Sequence, residues 1–123
     1  MNRRSFLRLS GGLALLPAAT AIAGGHGRLG SFAGASNHVT TGTAEIAGNQ
    51  VNLLADFTFD GAPDPKVALG RDGYDPRTLM GPLQSNSGAS SYAVPAGVDA
   101  SQYNEVWIWC EKFNVPLGVA KLN

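Results

Sequence analysis

Two side chains could support redox or metal chemistry: Cys110, the single cysteine, and His38. A thiolate is a nucleophile and a metal ligand, and a neutral imidazole is a base and a ligand. The pair therefore predicts a redox thiol at Cys110 with His38 as its helper, or a haem or metal site that uses both as ligands. Because one cysteine cannot form an internal disulfide, a redox cycle needs a partner thiol, sulfenic acid chemistry or a metal.

The same residues also permit a structural interpretation. Free cysteine is among the most buried residue types, and a histidine at a strand end commonly forms only local hydrogen bonds. Trp107 and Trp109 are two residues apart, so they share one face of a strand. They could carry electrons or stack on a sugar, but such pairs more often pack. This alternative makes the protein a non-catalytic binding module whose function lies in its loops.

Charge and composition exclude several classes of function. The chain of 123 residues is short enough for one domain. Residues 24–123 carry six basic and nine acidic side chains, and the basic ones form no cluster, which disfavours nucleic-acid binding. A single cysteine also excludes every multi-cysteine zinc or iron–sulfur motif, and no calcium-loop spacing occurs. No hydrolase or nucleotide-binding motif is present, so we do not predict a self-sufficient enzyme.

The first 23 residues resemble a bacterial twin-arginine signal peptide. Arg3 and Arg4 are followed by Phe6 and Leu7, then by an apolar stretch that ends in a small-x-small motif at Ala23. The resemblance implies cleavage after Ala23, export of the folded protein, and a periplasmic or secreted location. With fifteen residues, the apolar stretch is shorter than a membrane-spanning helix, so we expect no span after cleavage.

The remaining chain predicts an all-β domain. Residues 24–29 read as a flexible lead-in, and residues 30–123 as a series of short strands separated by Gly and Pro turns. Gly48-Asn49 predicts a hairpin, and no segment predicts a long helix. The strands are expected near Leu29–Phe32, Val39–Ile46, Gln50–Asp60, Val67–Leu69, Ser90–Val94, Glu105–Glu111 and Val115–Leu122. This pattern favours an antiparallel β-sandwich, Ig-like or jelly-roll-like, with an open barrel as the alternative.

The strand Glu105–Glu111 has the clearest pattern. Val106, Ile108 and Cys110 share one face, and Trp107 and Trp109 share the other. Because both faces are apolar, we expect a central strand that is covered on both sides.

Motifs in the second half of the chain resemble the DM-thirteen domain family, over roughly residues 30–123. They are Gly81-Pro82-Leu83, Tyr92-x-Val94-Pro95-x-Gly97, and Val106-Trp107-Ile108-Trp109-Cys110-x-x-Phe113. The resemblance implies a β-sandwich with one characteristic cysteine, here Cys110. It also implies an accessory role in extracytoplasmic redox or electron-transfer chemistry with a protein redox partner that the sequence does not identify.

Overall fold

The computed structural model describes residues 27–123. The segment predicted as a twin-arginine signal peptide and residues 24–26 lie outside the described residues. The first strand begins at Arg28, two residues before the predicted start of the domain at residue 30. Within the described residues, no helix is both long and apolar enough to cross a membrane.

Ten strands and two single-turn 3₁₀ helices form the described chain. The helices are Pro76–Thr78 and Ala100–Gln102. The strands are β1 Arg28–Gly34, β2 Thr40–Thr41, β3 Thr43–Ala47, β4 Gln50–Leu53, β5 Thr58–Phe59, β6 Pro65–Gly70, β7 Tyr74–Asp75, β8 Ser90–Ala93, β9 Glu105–Cys110 and β10 Val115–Lys121. The predicted all-β class without a long helix is confirmed.

Eight of these strands form one curled antiparallel sheet, in the order β7-β6-β9-β10-β1-β3-β4-β8, while β2 pairs with β5. The curl centres on β1, which changes partner along its length: residues 28–31 pair with β3 and residues 32–34 pair with β10. A strand shared in this way turns the corner between two sheet halves. The halves face each other across one apolar core, as in a β-sandwich.

Strand β9 lies between β6 and β10, as the sequence predicts for a central strand. Val106, Ile108 and Cys110 point into the core and are fully buried, whereas Trp107 and Trp109 are half-buried on the outer face. The position of the candidate thiol is therefore fixed by hydrogen-bonded strands on both sides.

The predicted continuous strand Gln50–Asp60 is wrong, because the chain turns between β4 and β5. The Asp56 carboxylate accepts hydrogen bonds from the backbone N–H and the hydroxyl of Thr43, at 2.9 and 2.8 Å. The Phe57 N–H donates to the Leu54 carbonyl, which closes the turn. The two bonds to Asp56 join residues 13 positions apart, so a tertiary contact fixes the chain where the strand is interrupted. Phe57 and Phe59 still reach the core, so the alternation of apolar residues survives the break.

The predicted strand Val39–Ile46 is also divided, at Gly42, between β2 and β3. Gly42 has a φ of +103°, a conformation that side-chain-bearing residues rarely adopt. The hairpin predicted at Gly48-Asn49 is confirmed: Ala47 pairs with Gln50 across that turn.

Candidate functional site

Cys110 is the last residue of β9, and 1% of its surface is exposed. It lies opposite Pro65 of β6 on one side and Val115 of β10 on the other. Its side chain belongs to the main apolar core. A thiol in this position reacts only when the end of the strand opens, because thiol chemistry requires access of the reagent.

Two prolines weaken the pairing at this end of β9. Pro65 lies opposite Cys110, and Pro116 lies opposite Trp109, where the register of β10 shifts. Neither proline has an N–H to donate to the ladder. The turn that follows, residues 111–114, is exposed throughout. Few backbone hydrogen bonds and an exposed turn are the conditions for local opening without global unfolding.

Charges beside the Cys110 end of β9 largely balance. Lys66 of β6 contacts the carboxylates of Glu111 and Asp64, the latter at 3.2 Å. Hydrogen bonds to these two groups, Glu111 first, raise the pKa of Lys66. Lys112 adds a second cation in the turn. We therefore expect the access of a reagent to the thiol, and not a strong electrostatic field, to determine how fast Cys110 reacts.

His38 lies in the connection between β1 and β2 and pairs with Asp60. Its Nδ1 lies 2.8 Å from Asp60 Oδ1, and the Val39 N–H donates to the other carboxylate oxygen at 2.9 Å. Both hydrogen bonds lower the pKa of Asp60, and the one from the Val39 N–H has the larger effect.

The structure brings His38 together with Asp60 and not with Cys110. Strand β10 separates β9 from β1, so Cys110 lies two strand spacings, about 10 Å, from the strand that leads to His38. Among residues 27–123, no group of three or more His, Cys, Asp or Glu side chains is arranged to hold a metal ion.

Three aromatic rings lie together on the outer face of the sheet: Trp107 and Trp109 of β9 and Tyr74 of β7. We call them the aromatic stack. Tyr74 is parallel to Trp109 with ring centroids 3.8 Å apart, and Trp107 meets Trp109 edge to face at 5.9 Å. Burial, followed by the negative charge of Glu111, raises the pKa of Tyr74. The sequence identifies both tryptophans, but it does not show that Tyr74 covers one of them.

A polar cleft of about 560 Å³ lies beside the aromatic stack and is lined by Tyr74, Asp75, Arg77 and Tyr103, among others. Asp75 accepts hydrogen bonds from the Arg77 side chain at 2.7 and 3.0 Å and from the Tyr103 hydroxyl at 2.7 Å. The sequence predicts no strand over residues 70–78, and therefore neither β7 nor this cleft. The Asp75-Pro76 pair could have revealed it, because Asp before Pro is typical of a helix start, and Asp75 caps the first 3₁₀ turn.

We expect Asp75→Asn to make the stability of the domain less sensitive to acid. Hydrogen bonds from Arg77, then from Tyr103, hold the pKa of Asp75 well below its usual range. A carboxylate with a lowered folded-state pKa stabilises the fold above its ordinary value, near 4, and loses that contribution as the pH falls further. Urea unfolding of the wild type should therefore show a steeper loss of stability below about pH 5 than that of the variant.

The control for this measurement is Asp72→Asn in the same cleft. An equal flattening of the acid profile in both variants would contradict the assignment to Asp75.

One of three comparisons with known proteins gave a match. A search of curated proteins and a search of solved structures each returned no match. The family model described as "Electron transfer DM13" matches residues 31–122, which include β9, Cys110 and the aromatic stack. Because the match covers most of the chain, the protein belongs to the DM13 electron transfer family.

Proposed function

We propose that this protein is an exported accessory domain in extracytoplasmic electron transfer, and that it exchanges electrons with a protein partner through Cys110. The family match over residues 31–122 carries the electron-transfer role. The position of Cys110 at a strand end flanked by Pro65 and Pro116 supports the choice of residue, because that end can open locally.

The proposed step is thiol–disulfide exchange with a disulfide of the partner. Local opening exposes Cys110, its Sγ proton passes to solvent, and the thiolate attacks one sulfur of the partner disulfide. The S–S bond breaks, a mixed disulfide forms, and the second partner sulfur leaves as a thiolate that takes up a proton. A small-molecule thiol then attacks Cys110 Sγ, so the partner leaves with both of its sulfurs reduced. A second molecule of that thiol releases Cys110 as a free thiol and forms the disulfide of the two small thiols, and two electrons have passed from them to the partner.

Oxidised glutathione provides a defined probe of this step. The folded protein, incubated with it at neutral pH, should gain the mass of one glutathionyl group on Cys110, and its circular dichroism should remain native. Modification that occurs only in denaturant would refute a redox role for Cys110.

A separate experiment tests export by replacing the twin arginines. We expect the double substitution Arg3→Lys and Arg4→Lys to leave the unprocessed chain in the cytoplasm, because the twin-arginine signal depends on that pair. Fractionation and the mass of the mature N-terminus measure this. Replacement of Arg8 alone by Lys is the control. Normal processing of the double variant would contradict the proposed route.

A non-catalytic binding module is the second candidate. The observation that favours it is the burial of Cys110, which is 99% covered in the core of the domain. On this account Cys110 only packs, and a ligand binds at the loops of the domain. The glutathione experiment separates the two candidates, because a purely structural thiol stays unmodified while the domain is folded.

A further inference from the structure

The aromatic stack is held in place by a buried carboxylate that the chemistry of Cys110 does not use. Glu105, at the start of β9, is 5% exposed. Its Oε1 accepts the indole N–H of Trp107 at 3.1 Å and the backbone N–H of Gly73 at 2.9 Å. A buried carboxylate aimed at an indole N–H is also placed to accept that proton.

The rings beyond Trp107 form a continuous path along the outer face of the sheet. Trp107 contacts Trp109 edge to face at 5.9 Å, and Trp109 stacks on Tyr74 at 3.8 Å. Gly70 makes room for Trp107, since a Cβ there would lie 2.4 Å from its Nε1. Asn114 accepts the N–H of Trp109 at 3.2 Å. All three rings are half-buried, so each keeps an edge at the surface.

We propose that the aromatic stack is a one-electron relay, in which Glu105 accepts the indole proton of Trp107 when that ring is oxidised. This inference goes beyond the proposed thiol exchange and does not depend on it. The relay requires a high-potential one-electron acceptor, such as an oxidised metal centre on a partner protein. That partner would bind against the half-exposed aromatic stack.

One electron leaves the stack for the acceptor, which is reduced by one electron. The Nε1 proton of Trp107 moves to Glu105 Oε1, which leaves a neutral tryptophanyl radical and a protonated carboxyl. A one-electron reductant restores the ring, and the proton then returns to Nε1.

Flash photolysis with a ruthenium tris-bipyridine oxidant tests the relay in the purified domain. In the wild type, transient absorption should show the neutral tryptophanyl radical without an accumulated radical cation. In Glu105→Gln, which keeps the shape and the acceptor oxygen, we expect the cation to accumulate and to lose its proton roughly a hundredfold more slowly, because the base is absent. Circular dichroism of the variant checks that the fold is retained.

Two further variants locate the path. Trp107→Phe should remove the part of the transient-absorption signal that depends on Glu105. Tyr74→Phe should leave that part of the signal intact. Identical radical spectra and decay in the wild type and Glu105→Gln would overturn the proposal. Failure of the glutathione experiment would not affect this result, since the radical measurement does not involve Cys110.

Discussion

Cys110→Ala should abolish mixed-disulfide formation with oxidised glutathione, while the domain remains folded. The residue is the only cysteine, so no other thiol can substitute for it. The loss of one small buried side chain should cost about 1 kcal/mol of folding free energy. Such a loss leaves a domain of typical stability folded. Mass spectrometry of the glutathione adduct and urea unfolding measure the two effects independently.

The control for Cys110→Ala is a substitution that opens the same strand end without removing the thiol. Phe113 is 58% exposed in the turn after β9, and its replacement by glycine should loosen that turn. Faster glutathione modification of Cys110 in Phe113→Gly would support opening at this turn. An unchanged modification rate would contradict it.

Phe57→Ala should produce the largest loss of stability, about 3–5 kcal/mol. Phe57 is completely buried and packs edge to face on Phe32 with ring centroids 5.4 Å apart. The substitution removes a large side chain from the close-packed core, where neighbouring side chains can fill the space only in part. Loss of that much free energy leaves a small domain marginally folded at best.

The matched control for Phe57→Ala is Phe113→Ala. The same chemical change at an exposed ring should shift stability by no more than about 0.5 kcal/mol. Urea unfolding of both variants measures the difference. Similar losses in the two variants would contradict the assignment of Phe57 to the core.

The sequence predicts the fold well where one physical signal dominates. The two apolar faces of residues 105–111 predict a central strand, and Gly48-Asn49 predicts the hairpin; both are confirmed. The alternation of apolar residues is misleading between Leu54 and Phe57, because it continues across a turn where the strand is interrupted. There, two hydrogen bonds that Thr43 donates to the Asp56 carboxylate decide the local structure, and sequence spacing does not show such a tertiary contact.

The candidate site is predictable only in part, because its chemistry depends on neighbours that are distant in sequence. Cys110 and the tryptophans are evident from residue type and spacing. The position of Pro65 opposite Cys110 follows from the register of β6 on β9, which joins residues 45 positions apart. The stacking of Tyr74 on Trp109 likewise requires the pairing of β7 with β6. A single sequence contains the residues but not these registers.

The rate of Cys110 modification at increasing urea concentration tests the central claim most directly. If the thiol serves redox chemistry through local opening, a thiol reagent should react with the folded protein at a rate that is nearly independent of urea at low concentration. That rate should also exceed the rate that global unfolding alone permits. A structural thiol predicts the opposite: modification would follow the global unfolding free energy at every urea concentration. This second result would contradict the account of Cys110 as the redox residue.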